Sequence, residues 1–110
     1  SNVVGYNQYN RTSLHAVCAS YGWDWKKIKK AIEHGTFPKC NTDCSAFFTV
    51  CVNLAYGKEK LPSDCTTHNL VYRCTVQHKA NFKLTKHFPP KKWCKGDAPI
   101  KEGKHIIINV

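Results

Sequence analysis

The sequence predicts an all-α, disulfide-stapled bundle of about four helices, ending in an irregular basic C-terminal tail. Three observations lead there. Seven cysteines in 110 residues suit a small secreted domain whose limited core is stapled by disulfides. Apolar residues recur at helical spacing through the first two thirds of the chain. The last third is basic: residues 78–110 hold eight lysines against Asp97 and Glu102. Lys+Arg number 17 against seven Asp+Glu, a formal charge of +10, while aromatics at 12% set the chain apart from a disordered polycation. A single domain over 1–110 is expected, with an arm at 1–12, a helical body at 13–77 and a tail at 78–110 tied down near Cys94.

The first helix is predicted over Ser13–Tyr21, where Leu14, Val17, Cys18 and Tyr21 stand at i, i+3, i+4 and i+7 and Gly22 follows. The second runs over Asp24–His34, with Asp24 as N-cap and Gly35 beyond the end. Trp25, Ile28 and Ile32 form its apolar stripe, and Lys26, Lys27, Lys29 and Lys30 take the rest of its surface. The third is predicted over Pro38–Tyr56, with proline near its start and Gly57 after its end. On that helix Cys40, Cys44 and Cys51 fall within about 40° of one another. Phe47, Phe48, Val50, Val52 and Leu54 make it apolar over most of its circumference, hence central. The fourth is predicted over Ser63–Gln77, where Cys65 and Cys74 lie about 180° apart and must bridge to different neighbours. In the tail, Asn81–Phe88 reads as a helical turn stopped by Pro89-Pro90, and His105–Val110 as an extended strand.

The cysteines at 18, 40, 44, 51, 65, 74 and 94 contain no CxxC pair and fit no zinc-finger spacing, so disulfides are expected and no metal or other cofactor. Asn10-Arg11-Thr12 is an N-glycosylation sequon, consistent with secretion. The opening Ser-Asn-Val-Val, lacking Met and an apolar signal core, reads as a mature product. No apolar run is long enough to span a bilayer.

Catalytic signatures are missing from the sequence: no G-x-S-x-G, HExxH, P-loop, EF-hand or Cys-Cys-x-x-His-Asp stretch occurs. The six histidines (His15, His34, His68, His78, His87, His105) read as scattered surface residues, not as a ribonuclease pair. Seven carboxylates, none paired on a recognisable element, give no basis for a lysozyme-type acid/base couple. A non-enzyme with no catalytic residues is therefore expected. Trp25 reads as a core anchor, Trp23 stays open, and Trp93 among lysines has the composition of an interface anchor. The candidate contact residues are Lys26, Lys27, Lys29, Lys30, Lys91, Lys92, Trp93 and Lys95.

Cys40-x3-Cys44, Cys51-x13-Cys65 and Cys65-x8-Cys74 resemble the cysteine pattern of insect odorant-binding proteins. Leu70-Val71-Tyr72-Arg73-Cys74 is similar to the ending of the C-x8-C helix in small basic salivary relatives of sand flies. The resemblance covers about residues 14–78. It implies a reduced odorant-binding-protein-like fold, shortened between Cys44 and Cys51, and pairings Cys18–Cys44, Cys40–Cys65 and Cys51–Cys74. A helical hairpin turning at Gly57–Lys60 favours Cys51–Cys65 or Cys44–Cys74 instead, so connectivity stays open. The resemblance further implies a monomeric protein secreted in saliva that binds a host plasma protein, an early classical-pathway complement component, and inhibits that pathway. Two alternatives stand beside it. One is a binder of polyanions such as heparin or polyphosphate that blocks contact-pathway coagulation. The other is a small-ligand scavenger, which needs an apolar cavity of about 300 Å³.

Overall fold

The computed structural model describes residues 4–7, 9–10, 12–77, 98, 100–101 and 103–106. Their order is β1 (Val4–Tyr6), α1 (Thr12–Ser20), α2 (Trp25–Glu33), β2 (Cys40–Thr42), α3 (Cys44–Tyr56), α4 (Leu70–Tyr72), a π-helical turn (Arg73–Gln77), β3 (Ile100–Lys101) and β4 (His105–Ile106). Among the described residues the structure is mainly helical, but it is not all-α, because two small two-stranded sheets accompany the helices. The predicted turn at Asn81–Phe88, the Pro89-Pro90 break and the tie near Cys94 lie outside the described residues.

The first two helices follow local rules. On α1, Leu14 and Cys18 are buried, and Val17 and Tyr21 pack against the same cluster. Gly22 (φ 65°) ends the helix, and Trp23 also takes a left-handed conformation (φ 57°), uncommon for a bulky residue. Its N–H reaches the Cys18 carbonyl at 3.1 Å, and its ring lies against His15 and Trp25. On α2, Asp24 caps the helix by accepting from the Lys26 and Lys27 N–H groups, both at 3.1 Å. Trp25, Ile28 and Ala31 face the core, whereas Ile32, placed on the stripe by the sequence, is 41% exposed. The stripe advances by i+3 steps to Ala31, and that rotation turns Ile32 to the helix edge.

The third helix starts later than predicted. Cys40–Thr42 is extended and pairs in parallel with β1, Val4 opposite Cys40 and Tyr6 opposite Thr42. Part of the N-terminal arm is therefore a strand, and Cys40 is not on a helical stripe with Cys44 and Cys51. Asp43, whose Oδ1 accepts from the Ala46 N–H at 2.8 Å, sets the actual start. Gly57 (φ 69°) closes the helix at the predicted end. Its buried face is partly polar: Ser45, Thr49 and Asn53 stand at i, i+4 and i+8 and are all buried. Thr49 Oγ1 donates to the Ser45 carbonyl at 2.9 Å, so the hydroxyl is not left unpaired in the core.

The predicted fourth helix is mostly turn. Asn69 folds residues 64–69 back on themselves, accepting from the Thr66 N–H at 2.7 Å and donating to the Asp64 carbonyl at 3.2 Å. The Thr66 hydroxyl accepts from the His68 N–H. Such side-chain bonds offer the backbone an alternative to helix, and here they hold it off until Leu70. Beyond Tyr72 the coil widens to a π-turn, with Thr75 Oγ1 donating to the Val71 carbonyl at 2.7 Å. Cys65 and Cys74 are thus not on opposite faces of one helix; both join the same apolar cluster.

Among the described residues two clusters make up the core. One joins Leu14, Cys18, Trp25, Ile28, Ala31, Phe37, Cys40 and Val50, with Tyr21 stacked on Phe37 at 5.9 Å. The other joins Phe48, Leu61, Cys65, Leu70 and Ile106. Leu14, Ile28, Leu61 and Leu70 are almost fully enclosed, and each such side chain contributes about 1.5–3 kcal/mol. No disulfide joins the six described cysteines, so the staples expected from the sequence are not part of the described structure. Among the described residues no helix is long and apolar enough to cross a membrane.

Candidate functional site

Two surfaces stand out. The first is the outer side of α2. Trp25, Ile28 and Ala31 anchor the helix, which turns Lys26, Lys27, Lys29 and Lys30 to solvent. Among the described residues none of the four ammonium groups has an ion-pair partner; the salt bridge seen there is Arg73–Asp64 at 2.8 Å. Lys30 lies in the last turn, where a cation meets the negative end of the helix dipole. The structure therefore brings together four of the eight predicted contact residues. Lys91, Lys92, Trp93 and Lys95, with Cys94, lie outside the described residues.

The second surface is an apolar cleft of about 280 Å³ between β1, β4 and the start of α3. Val4, Tyr6, Cys44, Phe47, Phe48, His105 and Ile106 are among its walls. Tyr6 and His105 meet edge to face at 6.4 Å across it. The Tyr6 hydroxyl is held above the ordinary phenol range, first by desolvation and then by Cys44 and Asp43. The sequence reading missed this cleft. Phe47, counted there among the apolar residues of a central helix, is 37% exposed and marks where that helix leaves the core.

The other predicted residues fall into place around these surfaces. Trp25 is a core anchor; Trp23 is half-buried beside it. His15 is not a surface residue but half-buried, its ring 5.9 Å from that of Trp23. Asn10 of the sequon is half-buried, its N–H bonded to the Asn7 carbonyl at 2.9 Å. Among the described residues no three His, Cys, Asp or Glu side chains gather as a metal-ligand set.

A basic, mostly helical domain with a lysine-covered helix and a shallow apolar cleft is the class these features define. The chain belongs to the endolysin-like domain family, whose model matches residues 1–110. No curated protein and no solved structure matches it. The odorant-binding-protein likeness of the cysteine spacing stays a resemblance.

Proposed function

We propose that this protein is a secreted, non-catalytic binder of polyanions that uses the lysine face of α2. The observation that carries the reading is the set of four solvent-facing lysines on one capped helix, without ion-pair partners among the described residues. Such a face neutralises a repeated negative charge and releases counterions, so affinity falls steeply with salt. With a formal charge of +10, the whole molecule steers such partners toward it. Membership of an endolysin-like family makes anionic bacterial cell-wall polymer the first polyanion to try.

The test is adsorption of the full chain to heparin, polyphosphate and purified cell walls at two salt concentrations. Adsorption to cell walls without clearing of the suspension supports binding. Clearing would replace the reading with a lytic enzyme. Lys29→Glu with Lys30→Glu should lower the eluting salt on heparin markedly, whereas unchanged elution removes α2 from the contact.

The salivary resemblance supports a more particular target, an early classical-pathway complement component met by the same lysines. A haemolysis assay with added protein tests it, and no inhibition at micromolar concentration would dismiss it. The cleft favours a separate reading, capture of a small apolar ligand. Its volume lies at the lower end for ligand pockets, and displacement of a fluorescent apolar probe, lost in Phe48→Ala, would support it.

A further inference from the structure

The described cysteines are not scattered. Cys18 and Cys40 are both buried members of the cluster beneath α1 and α2. The strand carrying Cys40 lies against α1, where the Asn41 N–H donates to Ser13 Oγ at 3.2 Å. Burial raises the Cys18 thiol, and Cys40 adds to that rise. Cys65 is buried in the second cluster, and Cys74 packs against that same cluster. The residues just before them, Asp64 and Arg73, are joined by the 2.8 Å ion pair, and the Leu70 N–H reaches the Thr66 carbonyl at 2.9 Å. The turn at 64–69 therefore folds Cys65 onto the segment that carries Cys74. Cys44 and Cys51 stand differently. They are seven residues apart on one helix, which places them about 10 Å apart along its axis, beyond the roughly 7 Å that a disulfide spans between Cα atoms.

We propose that Cys18 with Cys40, and Cys65 with Cys74, are two disulfide-forming pairs, oxidised by a small-molecule disulfide such as glutathione disulfide. In each pair one thiol loses its proton and its thiolate attacks a sulfur of the oxidant, expelling one glutathione thiolate and leaving a mixed disulfide. The second cysteine, likewise deprotonated, attacks the protein sulfur of that bond and expels the other glutathione. Two protein thiols are oxidised, one glutathione disulfide is reduced to two thiols, and the two protons end on the glutathiones. Cys18, Cys40 and Cys65 are buried and Cys74 is half-buried in the folded chain, so the exchange belongs to the folding or transiently opened protein. The assignment departs from every pairing that the cysteine spacing alone suggests.

Refolding of the full chain in a glutathione redox buffer, then digestion without reduction by trypsin and an aspartate-directed protease, tests the assignment. The cuts fall before Asp24 and Asp43 and after Arg73, so each proposed pair joins two separate peptides. The expected products are residues 12–23 linked to 40–42, and residues 64–73 linked to 74–79. Dominant Cys18–Cys44, Cys40–Cys65 or Cys51–Cys74 links, or full alkylation of all four thiols after refolding, would overturn the proposal. Cys65→Ser provides a second reading on a chain that keeps one pair. Cys74 should become alkylatable while the link between Cys18 and Cys40 persists; a variant in which Cys74 stays protected, or in which both links vanish, would equally overturn it.

Discussion

Asn53 and Leu61 are locked backbone to side chain in both directions. The Asn53 Nδ2 donates to the Leu61 carbonyl at 2.9 Å, and its Oδ1 accepts from the Leu61 N–H at 3.0 Å. The same oxygen accepts from the Lys60 N–H at 2.7 Å. Asn53 is 1% exposed, so water cannot replace it. Asn53→Ala should leave three backbone groups at 60–61 without a partner and cost about 3 kcal/mol or more. Urea unfolding checks this; a loss under about 1 kcal/mol would mean that the turn repairs itself.

Asp24 holds the lysine helix in place. Asp24→Ala removes the acceptor for two N–H groups and should destabilise the protein by about 1 kcal/mol. Asp24→Asn, which keeps an acceptor oxygen, should recover most of that loss. Far-ultraviolet circular dichroism during urea unfolding of the two variants checks the order.

The reduced protein should be alkali-sensitive. Burial pushes the Cys18 thiol up to about 12, with Cys40 adding to it. Burial also raises Cys65, Cys74 and Cys51 to about 11, with Arg73 opposing the rise at Cys65. In the unfolded chain these thiols ionise near their ordinary value of 9.0. Above that value the unfolded state sheds protons that the folded state keeps, so stability falls as pH rises. It is full below about pH 9 and lost progressively toward pH 11–12, by about 1 kcal/mol per pH unit for each fully enclosed thiol. Unfolding midpoints at pH 8 and pH 10 in the presence of a non-thiol reductant check the sign. An unchanged midpoint would show the thiols already ionised or bridged.

Gly103 ties the β3–β4 hairpin to the turn at 66–69. Its N–H donates to the Thr67 carbonyl at 2.8 Å, its φ is +73°, and a Cβ there would come within 3.1 Å of the His68 ring. The exposed His68 ring can swing aside, but the backbone cannot relax. Gly103→Ala should therefore cost about 1–2 kcal/mol, measured by thermal unfolding, while His68→Ala in the same background should restore only the smaller steric part.

What the sequence made legible was local. Leu14, Cys18, Trp25 and Ile28 lie where periodicity puts them, and the lysines of α2 follow from that stripe. The start of α3 was misplaced because Pro38 carries a helix-start signal, yet the Asp43 side chain is the acceptor that captures a free N–H. The strand at Cys40 depends on Val4, far back in the chain, and no window-based pattern contains that partner. Thr66 and Asn69 unmade the predicted fourth helix through side-chain bonds, which apolar periodicity does not register. The cleft shared this fate: its walls come from three separated segments, so half of the candidate site was readable and half was not.

Along α3, Val50 and Leu54 serve one cluster, while Cys44, Phe48 and Val52 serve the other. The helix is a party wall. Neither half of the protein can come apart without baring one side of it, so its amides should be the last to trade hydrogen for deuterium, and damage on either flank should be felt on the opposite one.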